Sequence, residues 1–132
     1  GKTMQIHQSA EDYLETILML TQRMGRVRSI DVVNELGYTK ASVSIAMKKL
    51  RENGYIAVDG EGNLTLLEPG REIAERIYSR HRLLTHFFVQ LGVDEQTAAE
   101  DACKAEHILS EQTLEKIRES ALRNDATHPQ AK

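Results

Sequence analysis

Apolar positions recur at helical spacing over most of this 132-residue chain. Residues 9–24 are predicted to form a first helix, with a hydroxyl cap and acidic residues in the first turn. Gly25 is predicted to end it. Ser29 is predicted to cap a second, short helix over residues 30–36. The apolar side of that helix is predicted to consist of Ile30, Val33 and Leu36.

A third helix is predicted over residues 40–53, after a tight turn at Gly37 and a hydroxyl cap at Thr39. Two short helices joined by a glycine-containing turn are typical of the helix-turn-helix motif. The buried side of the third helix is predicted from positions i, i+3, i+4 and i+7, which hold Val43, Ala46, Met47 and Leu50.

The opposite side of this third helix carries hydroxyls and basic residues, and no acidic residue lies between Lys40 and Arg51. A recognition helix reaches DNA from such a side. Ile45 lies outside the apolar stripe, and two interpretations stay open: it contacts thymine methyl groups, or it is a scattered surface residue. The candidate DNA-binding residues are Thr39, Lys40, Ser42, Ser44, Ile45, Lys48 and Lys49.

Two short β-type runs, residues 55–58 and 64–67, follow the third helix and are separated by a Gly-containing turn. A hairpin at this place makes the unit a winged helix. Asp59 and Glu61 lie at the predicted tip of the wing, where phosphate would repel them. We therefore do not expect the wing tip to be a major DNA contact.

The remainder of the chain is predicted to be helical. A long helix is expected from Pro69 to about Leu91, a second behind a cap at Asp94, and a third from Ser110 to about residue 122, before a frayed tail. The stripe of the long helix is predicted to consist of Ile73, Ile77, Leu84, Phe88 and Leu91. The predicted fold is mainly α, with a winged helix-turn-helix over residues 1–68 and a helical domain over residues 69–132. The first helix is expected to pack against both.

Composition narrows the class of protein. The formal net charge is −3, so overall charge does not favour nucleic-acid binding, and any such role depends on the local basic helix. A single cysteine excludes an internal disulfide and suits a reducing cytosol. No apolar run is long enough for a membrane span, and the first residues do not look like a signal peptide. We expect a cytoplasmic protein with no membrane partner.

Metal-binding side chains recur on three of the predicted helices. Cys103, Glu106 and His107 stand at i, i+3 and i+4, so one helix face offers a thiolate, a carboxylate and an imidazole. Asp12 and Glu15 share a side of the first helix, and His81 lies on the apolar stripe of the long helix. Each also has an alternative explanation: helix-dipole acids, a core histidine, a small core cysteine or a solvated face.

Two other functions use some of these residues. Cys103 with His107 could form a nucleophilic pair in an enzyme, although no oxyanion device or orienting group accompanies them in the sequence. A metal-buffering protein would use the ligands but would have no need for a basic helix-turn-helix. We therefore predict no catalytic residues and no small-molecule substrate.

Three motifs behind the winged helix carry a family resemblance: Arg80-His81-Arg-Leu-Leu, Gly92-Val-Asp-Glu, and Cys103-x-x-Glu106-His107-x-Leu-Ser110. Residues 9–117 resemble the diphtheria-toxin-repressor family, especially its short two-domain branch of manganese transport regulators. The resemblance implies a homodimeric repressor of metal-uptake genes that binds a palindromic operator, with Mn²⁺ or Fe²⁺ as co-repressor and with Co²⁺, Zn²⁺ or Ni²⁺ able to bind in vitro. The implied metal ligands are Asp12, Glu15, His81, Cys103, Glu106 and His107.

The ligand set departs from both branches of the family it resembles. Manganese regulators usually have Glu where Cys103 stands, and the iron-responsive branch has Met where Asp12 stands. Thr85 occupies the place of a further carboxylate ligand of the iron-responsive branch. The resemblance therefore implies a hybrid site with one well-occupied ion and a second possible.

Apolar residues late in the chain are candidates for the implied dimer interface; the alternative is that they complete the monomer core. They are Phe87, Phe88, Ile108, Leu109, Leu114 and Ile117.

Overall fold

The computed structural model describes residues 8–127 and is mainly helical, with one two-stranded hairpin. In chain order the elements are α1 (Gln8–Met24), α2 (Ser29–Leu36), α3 (Lys40–Glu52), β1 (Ile56–Val58), β2 (Leu64–Leu66), α4 (Glu68–Leu91), α5 (Glu95–Ala105) and α6 (Glu111–Thr127). This confirms the predicted fold class. The chain divides into two compact units, and the division falls within α4, between Arg76 and Ile77. Among the described residues, no helix is both long and apolar enough to span a bilayer.

The core of the first unit forms where α1 contacts α2, α3 and β2. Leu14 and Ile17 of α1 are completely buried, as is Val43 of α3. Met47 and Leu50 continue the buried side of α3, as the sequence predicts. Because α1 packs on both helices of the helix-turn-helix motif, the position of α1 determines the support beneath α3.

The start of α2 differs from the prediction. Arg28, not Ser29, is the N-cap, and its backbone N–H donates to the carboxylate of Asp31 at 2.8 Å. An acidic residue three positions after the cap can reach back in this way, and this interaction was not predicted from the sequence. The apolar side also shifts: Val32 is the buried residue of α2, whereas Ile30 is 42% exposed.

The wing is the predicted hairpin, with β1 and β2 antiparallel and Ala57 opposite Thr65. Its turn is organised by Asp59, whose carboxylate accepts hydrogen bonds from the backbone N–H of Glu61 and from the backbone and side chain of Asn63. These hydrogen bonds, chiefly those from Asn63, hold the pKa of Asp59 below its usual value. The tip of the wing therefore keeps its negative charge.

The wing is joined closely to the start of α4. The N–H of Leu67 donates to the carbonyl oxygen of Tyr55 at 2.9 Å, and Pro69 lies in the first turn of the helix. Gly70 is buried against the same carbonyl group, and a Cβ at this position would overlap the Tyr55 oxygen. Only glycine fits here without a backbone shift.

The second unit is built around three buried residues, Leu84 of α4, Ala102 of α5 and Leu114 of α6. Other apolar residues pack against them, namely Leu83, Phe88, Ala105, Leu109 and Ile117. Four of the six residues considered for a dimer interface, Phe88, Leu109, Leu114 and Ile117, therefore contribute to the core of their own unit. Ile108, by contrast, is 75% exposed.

The C-terminal ends of α4 and α6 each differ from the prediction in one respect. Leu91 is 65% exposed, because it is the last residue of α4 and the chain turns away at Gly92, which has φ of 107°. α6 continues to Thr127, where a frayed tail was expected. Asp125 explains the extension, since its carboxylate lies 3.1 Å from His86 Nε2 and accepts from Gln90 at 2.8 Å. The rest of the expected tail, residues 128–132, lies outside the described residues.

The caps of the last two helices are as predicted. Asp94 accepts from the backbone N–H and the hydroxyl of Thr97, both at 2.9 Å, and this lowers its pKa. Ser110 accepts from the N–H of Thr113 at 3.2 Å.

Candidate metal centre and DNA-binding helix

The centre of the candidate metal site is the side chain of Glu106, which is completely buried in the structure. Its Oε1 lies 3.0 Å from Nδ1 of His81, and its Oε2 lies 3.4 Å from Nε2 of His107. The His107 side chain is only 2% exposed. One carboxylate and two imidazoles thus meet inside the second unit, which is a donor set suited to a divalent transition metal.

The turn after α5 positions these groups. The helix ends at Ala105, but Glu106 keeps helical dihedral angles of −60° and −22°, and its N–H donates to the carbonyl of Ala102 at 2.9 Å. Glu106 therefore stays close to Cys103, whose Sγ lies within 4.8 Å of a Glu106 carboxylate oxygen. The expectation that one helix carries all three residues is wrong in detail, since α5 ends at Ala105, Glu106 is its C-cap and His107 lies in the turn. Cys103 lies on α5 and is exposed.

Arg80 stabilises this turn, a role that was not predicted from the sequence. Its guanidinium donates to the carbonyl oxygen of Glu106 at 3.2 Å and pairs with the carboxylate of Glu111 at the start of α6. The sequence feature that could have indicated this role is the position of Arg80 directly before the candidate ligand His81. Thr85, one turn after His81, uses its hydroxyl to donate to the His81 carbonyl at 2.8 Å.

The other two candidate ligands lie on α1 in the first unit. Glu15 is buried, with 5% of its surface exposed, and Asp12 is half-buried. They are three residues apart, so they project from one side of the helix. Between them, Tyr13 is buried and makes an edge-to-face contact with Tyr38. Burial is the main cause that raises the pKa of Tyr13, and the charges of Tyr38 and Asp12 add to it.

The candidate DNA-binding residues surround the exposed side of α3. Thr39 caps the helix by accepting from the N–H of Ser42 at 3.1 Å, as predicted. Ile45 is 58% exposed, which matches its predicted outward orientation. The remaining candidates are also exposed, namely Lys40, Ser44, Lys48 and Lys49.

Comparison with protein families accounts for almost the whole chain. Residues 5–64 match the model of the iron dependent repressor N-terminal DNA binding domain. Residues 67–130 match that of the iron dependent repressor metal binding and dimerisation domain. The chain belongs to the iron-dependent repressor family.

Relatives in this family are transcriptional regulators. An uncharacterised HTH-type transcriptional regulator of Methanocaldococcus jannaschii is 37% identical over 113 residues, which cover 84% of this chain and 90% of the relative. The HTH-type transcriptional regulator MntR of Bacillus subtilis is 34% identical over 109 residues, which cover 83% of this chain and 77% of MntR.

Solved structures show the same architecture. A manganese-dependent transcriptional repressor in complex with manganese is 28% identical, with a TM-score of 0.78, and the match covers 85% of this chain. The repressor ScaR with bound Zn²⁺ is 25% identical, with a TM-score of 0.68 and 83% coverage of this chain. This chain spans about half the length of both solved regulators, 52% in each case.

The resemblance found in the sequence is therefore confirmed. By family the chain is a metal-dependent transcriptional repressor with a DNA-binding domain and a metal-binding, dimerising domain. The matched families and relatives are regulators and not enzymes, so an enzymatic Cys103–His107 pair is not the function of this site.

Proposed function

We propose that Mn²⁺ or Fe²⁺ is the co-repressor of this regulator, and that it is held by a site centred on Glu106. The observation that carries the proposal is the fully buried Glu106 carboxylate between the imidazoles of His81 and His107. Burying a carboxylate is costly unless other groups compensate its charge, and a divalent cation does so directly. The proposed ligands are Asp12, Glu15, His81, Cys103, Glu106 and His107.

The chemistry of this donor set fits either metal. The carboxylates of Asp12, Glu15 and Glu106 are hard oxygen ligands of the kind that Mn²⁺ accepts, and imidazole suits several transition metals. The thiolate of Cys103 is softer and shifts preference toward Fe²⁺, Co²⁺, Ni²⁺ and Zn²⁺. We propose one well-occupied ion, with a second ion possible.

Metal binding would control DNA binding through α1. Like charges on α1 and on Glu106 disfavour the assembled site, and a divalent cation reverses that repulsion. Because α1 supports α2 and α3, an α1 fixed by its two acidic ligands would also fix the direction of the recognition helix. Metal then favours the DNA-competent arrangement, as a co-repressor must.

We further propose that a homodimer presents two such helices to a palindromic operator, since one recognition helix contacts few bases. Residues 1–68 would bind DNA, residues 69–132 would bind metal and dimerise, and α1 would serve both. By analogy with the family, the protein would act in the cytoplasm, and the genes it regulates would serve metal uptake.

A gel-shift assay on the protein's own upstream DNA tests the proposal, with chelator, Mn²⁺, Fe²⁺, Co²⁺ and Zn²⁺ in separate lanes. We expect retardation with Mn²⁺ or Fe²⁺ and none with chelator. The His81→Ala variant should lose this response. His86→Ala is the matched control, because His86 lies on the same helix but contacts Asp125.

Two outcomes would contradict the proposal. DNA binding that is equally strong with chelator would remove the metal from the mechanism. Tight metal binding with no DNA binding under any condition would instead favour the metal-buffering alternative.

A further inference from the structure

Two tyrosine rings meet where the first helix passes the turn of the helix-turn-helix motif. Tyr13 belongs to α1 and is 7% exposed, whereas Tyr38 lies between α2 and α3 and is 44% exposed. The ring centroids are 5.9 Å apart, and the ring planes are inclined at 77°. An edge-to-face pair at this distance is favourable, and its strength depends on the relative orientation of the two rings.

Tyr13 lies in the turn of α1 that carries the two proposed acidic ligands. It directly follows Asp12 and stands two positions before Glu15. Neighbouring residues of an α-helix project about 100° apart, so Tyr13 leaves the helix in a different direction from Asp12. Because backbone hydrogen bonds keep the turn rigid, a shift of the turn that holds Asp12 also moves the ring of Tyr13.

Tyr38 lies directly before the recognition helix. Gly37 on one side of it is the C-cap of α2, with a left-handed φ of 74°, and Thr39 on the other side is the N-cap of α3. Tyr38 is the single residue between the two caps. A change in the position of its ring therefore acts on the first turn of α3.

The exposure of Tyr38 distinguishes this contact from the core packing of α1. Leu14 and Ile17 are completely buried, and side chains packed in this way do not move without leaving a cavity. Nearly half of the Tyr38 surface borders solvent, so its ring can tilt without opening a cavity. The contact between the two rings is thus one that can take two arrangements at low cost.

We propose that the Tyr13–Tyr38 ring contact transmits the metal state of α1 to the start of α3, with both tyrosines acting as positioning residues. This inference rests on the proposed co-repressor function and deepens it by naming a contact through which Asp12 acts on the recognition helix. A contact shifts an equilibrium only by the difference between its free energies in the two states. An aromatic pair should therefore contribute about 2- to 12-fold to the metal-dependent gain in DNA affinity.

The test is the coupling factor, which is the ratio of DNA affinity with saturating Mn²⁺ to DNA affinity with chelator, measured by fluorescence anisotropy on the upstream duplex. Tyr38→Ala should lower this ratio about 2- to 12-fold, whereas Tyr38→Phe keeps the ring and should retain the ratio. Coupling is reciprocal, so the gain in Mn²⁺ affinity caused by DNA should fall by the same factor in Tyr38→Ala. An unchanged ratio in Tyr38→Ala would overturn the proposal.

A double-mutant cycle separates coupling from a direct contact of Tyr38 with DNA. In a Tyr13→Leu protein the partner ring is already absent, so the further change Tyr38→Ala should leave the coupling factor nearly the same. Loss of a direct contact would instead weaken DNA binding equally with Mn²⁺ and with chelator, whichever residue stands at position 13, and would refute the proposal. Thermal melts without metal show whether each variant folds. If Tyr13→Leu does not fold, the single Tyr38 variants still decide, because the side chain that they change is exposed.

Hydrogen exchange provides a readout that involves no DNA. The N–H groups of Ser42 and Val43 both donate to Thr39, so their exchange reports the order of the first turn of α3. Mn²⁺ should slow their exchange in the wild-type protein and in Tyr38→Phe, and should slow it less in Tyr38→Ala. Equal slowing in all three proteins would rule out the proposed transmission.

The two arms distinguish this inference from the proposed function. Metal-dependent DNA binding with full coupling in Tyr38→Ala would remove the ring contact and leave the co-repressor intact. Wild-type protein that binds DNA equally with chelator and with Mn²⁺, and whose exchange does not respond to Mn²⁺, would remove both.

Discussion

The recognition helix α3 of the first unit and the Glu106 site of the second unit differ in where their charged side chains lie. On α3, cations such as Lys48 and Arg51 are exposed and have no ion-pair partner in the described part of the chain, while the buried side of the same helix is purely apolar. In the second unit, the Glu106 carboxylate is completely buried and faces two imidazoles. The first arrangement suits a large polyanion that approaches from solvent. The second suits a small cation that must be enclosed.

This difference indicates which mutations should change binding without changing the stability of the fold. Exposed charges in the first unit contribute little to folding, so their removal should change binding alone. Beneath α3, the interior of the first unit depends on apolar packing, and at Gly70 on close backbone contact. The interior of the second unit contains a buried charge, that of Glu106, whose compensation would change on metal binding if the proposed site is correct.

The largest expected effect comes from a pair of substitutions on α3. Leu50→Ala should lower the free energy of unfolding by about 2–5 kcal/mol, because Leu50 is buried. Ile45→Ala should change stability by less than about 0.5 kcal/mol, because Ile45 is exposed, but it should weaken operator binding. Urea unfolding and gel shifts measure the two effects. Unchanged DNA affinity in Ile45→Ala would make this residue a scattered surface position.

The next effect concerns the buried charge. A divalent metal at about 100 times its dissociation constant should stabilise the wild-type protein by about 2.7 kcal/mol. Glu106→Gln keeps the shape of the side chain and removes its charge, so this metal-dependent increase in thermal stability should disappear. The Lys104→Gln variant, on neighbouring α5, should retain the increase. An undiminished shift in Glu106→Gln would show that Glu106 is not a ligand.

A smaller effect is expected from Gly70→Ala, which tests the close backbone contact of the first unit. The added methyl group would overlap the carbonyl oxygen of Tyr55, and the necessary shift should cost about 1–3 kcal/mol in the free energy of unfolding. Gly60→Ala is the control, because no atom lies within 4 Å of its Cβ position. Chemical denaturation of both variants gives the comparison, and equal midpoints would contradict the predicted overlap.

The smallest effect concerns an exposed charge in the second unit. Hydrogen bonds from Thr97 lower the pKa of Asp94 in the folded protein, so the ionised cap stabilises the fold above the ordinary value of 3.8. That contribution is lost as the pH falls below 3.8 and then through the lower pKa that Asp94 has in the folded protein. Asp94→Asn keeps a cap oxygen and should remove this part of the acid sensitivity. Thermal melts from neutral pH to about pH 3 test it, and identical pH profiles would refute it.

Local features of the fold were predictable from sequence because their causes are local. Thr39, Asp94 and Ser110 cap their helices through residues three positions on, and the buried side of α3 follows from helical periodicity. The cap of α2 was misplaced because Ser29 looked like the better cap and Asp31 decided otherwise. Local signals compete at such positions, and the sequence alone does not rank them.

Long-range contacts were less predictable. Glu106 and His81 are 25 residues apart and lie in contact. The family resemblance, and not residue spacing, grouped them as ligands of one site. The role of Arg80 and the extension of α6 through Asp125 depend on contacts between helices, which periodicity does not describe. The partly buried positions of Leu109 and Ile117 against the core of the second unit required the structure for the same reason.

The internal hydrogen bonds of the wing turn have a consequence for the length of DNA that each subunit covers. Asp59 is held by Asn63 and stays ionised, so the tip has little freedom to turn its charge away from an approaching phosphate. We expect the footprint of one subunit to end near α3 and not to extend along the flanking duplex beneath the wing. A short footprint carries little sequence information. A search of the genome for true binding sites therefore has to require two half-sites together.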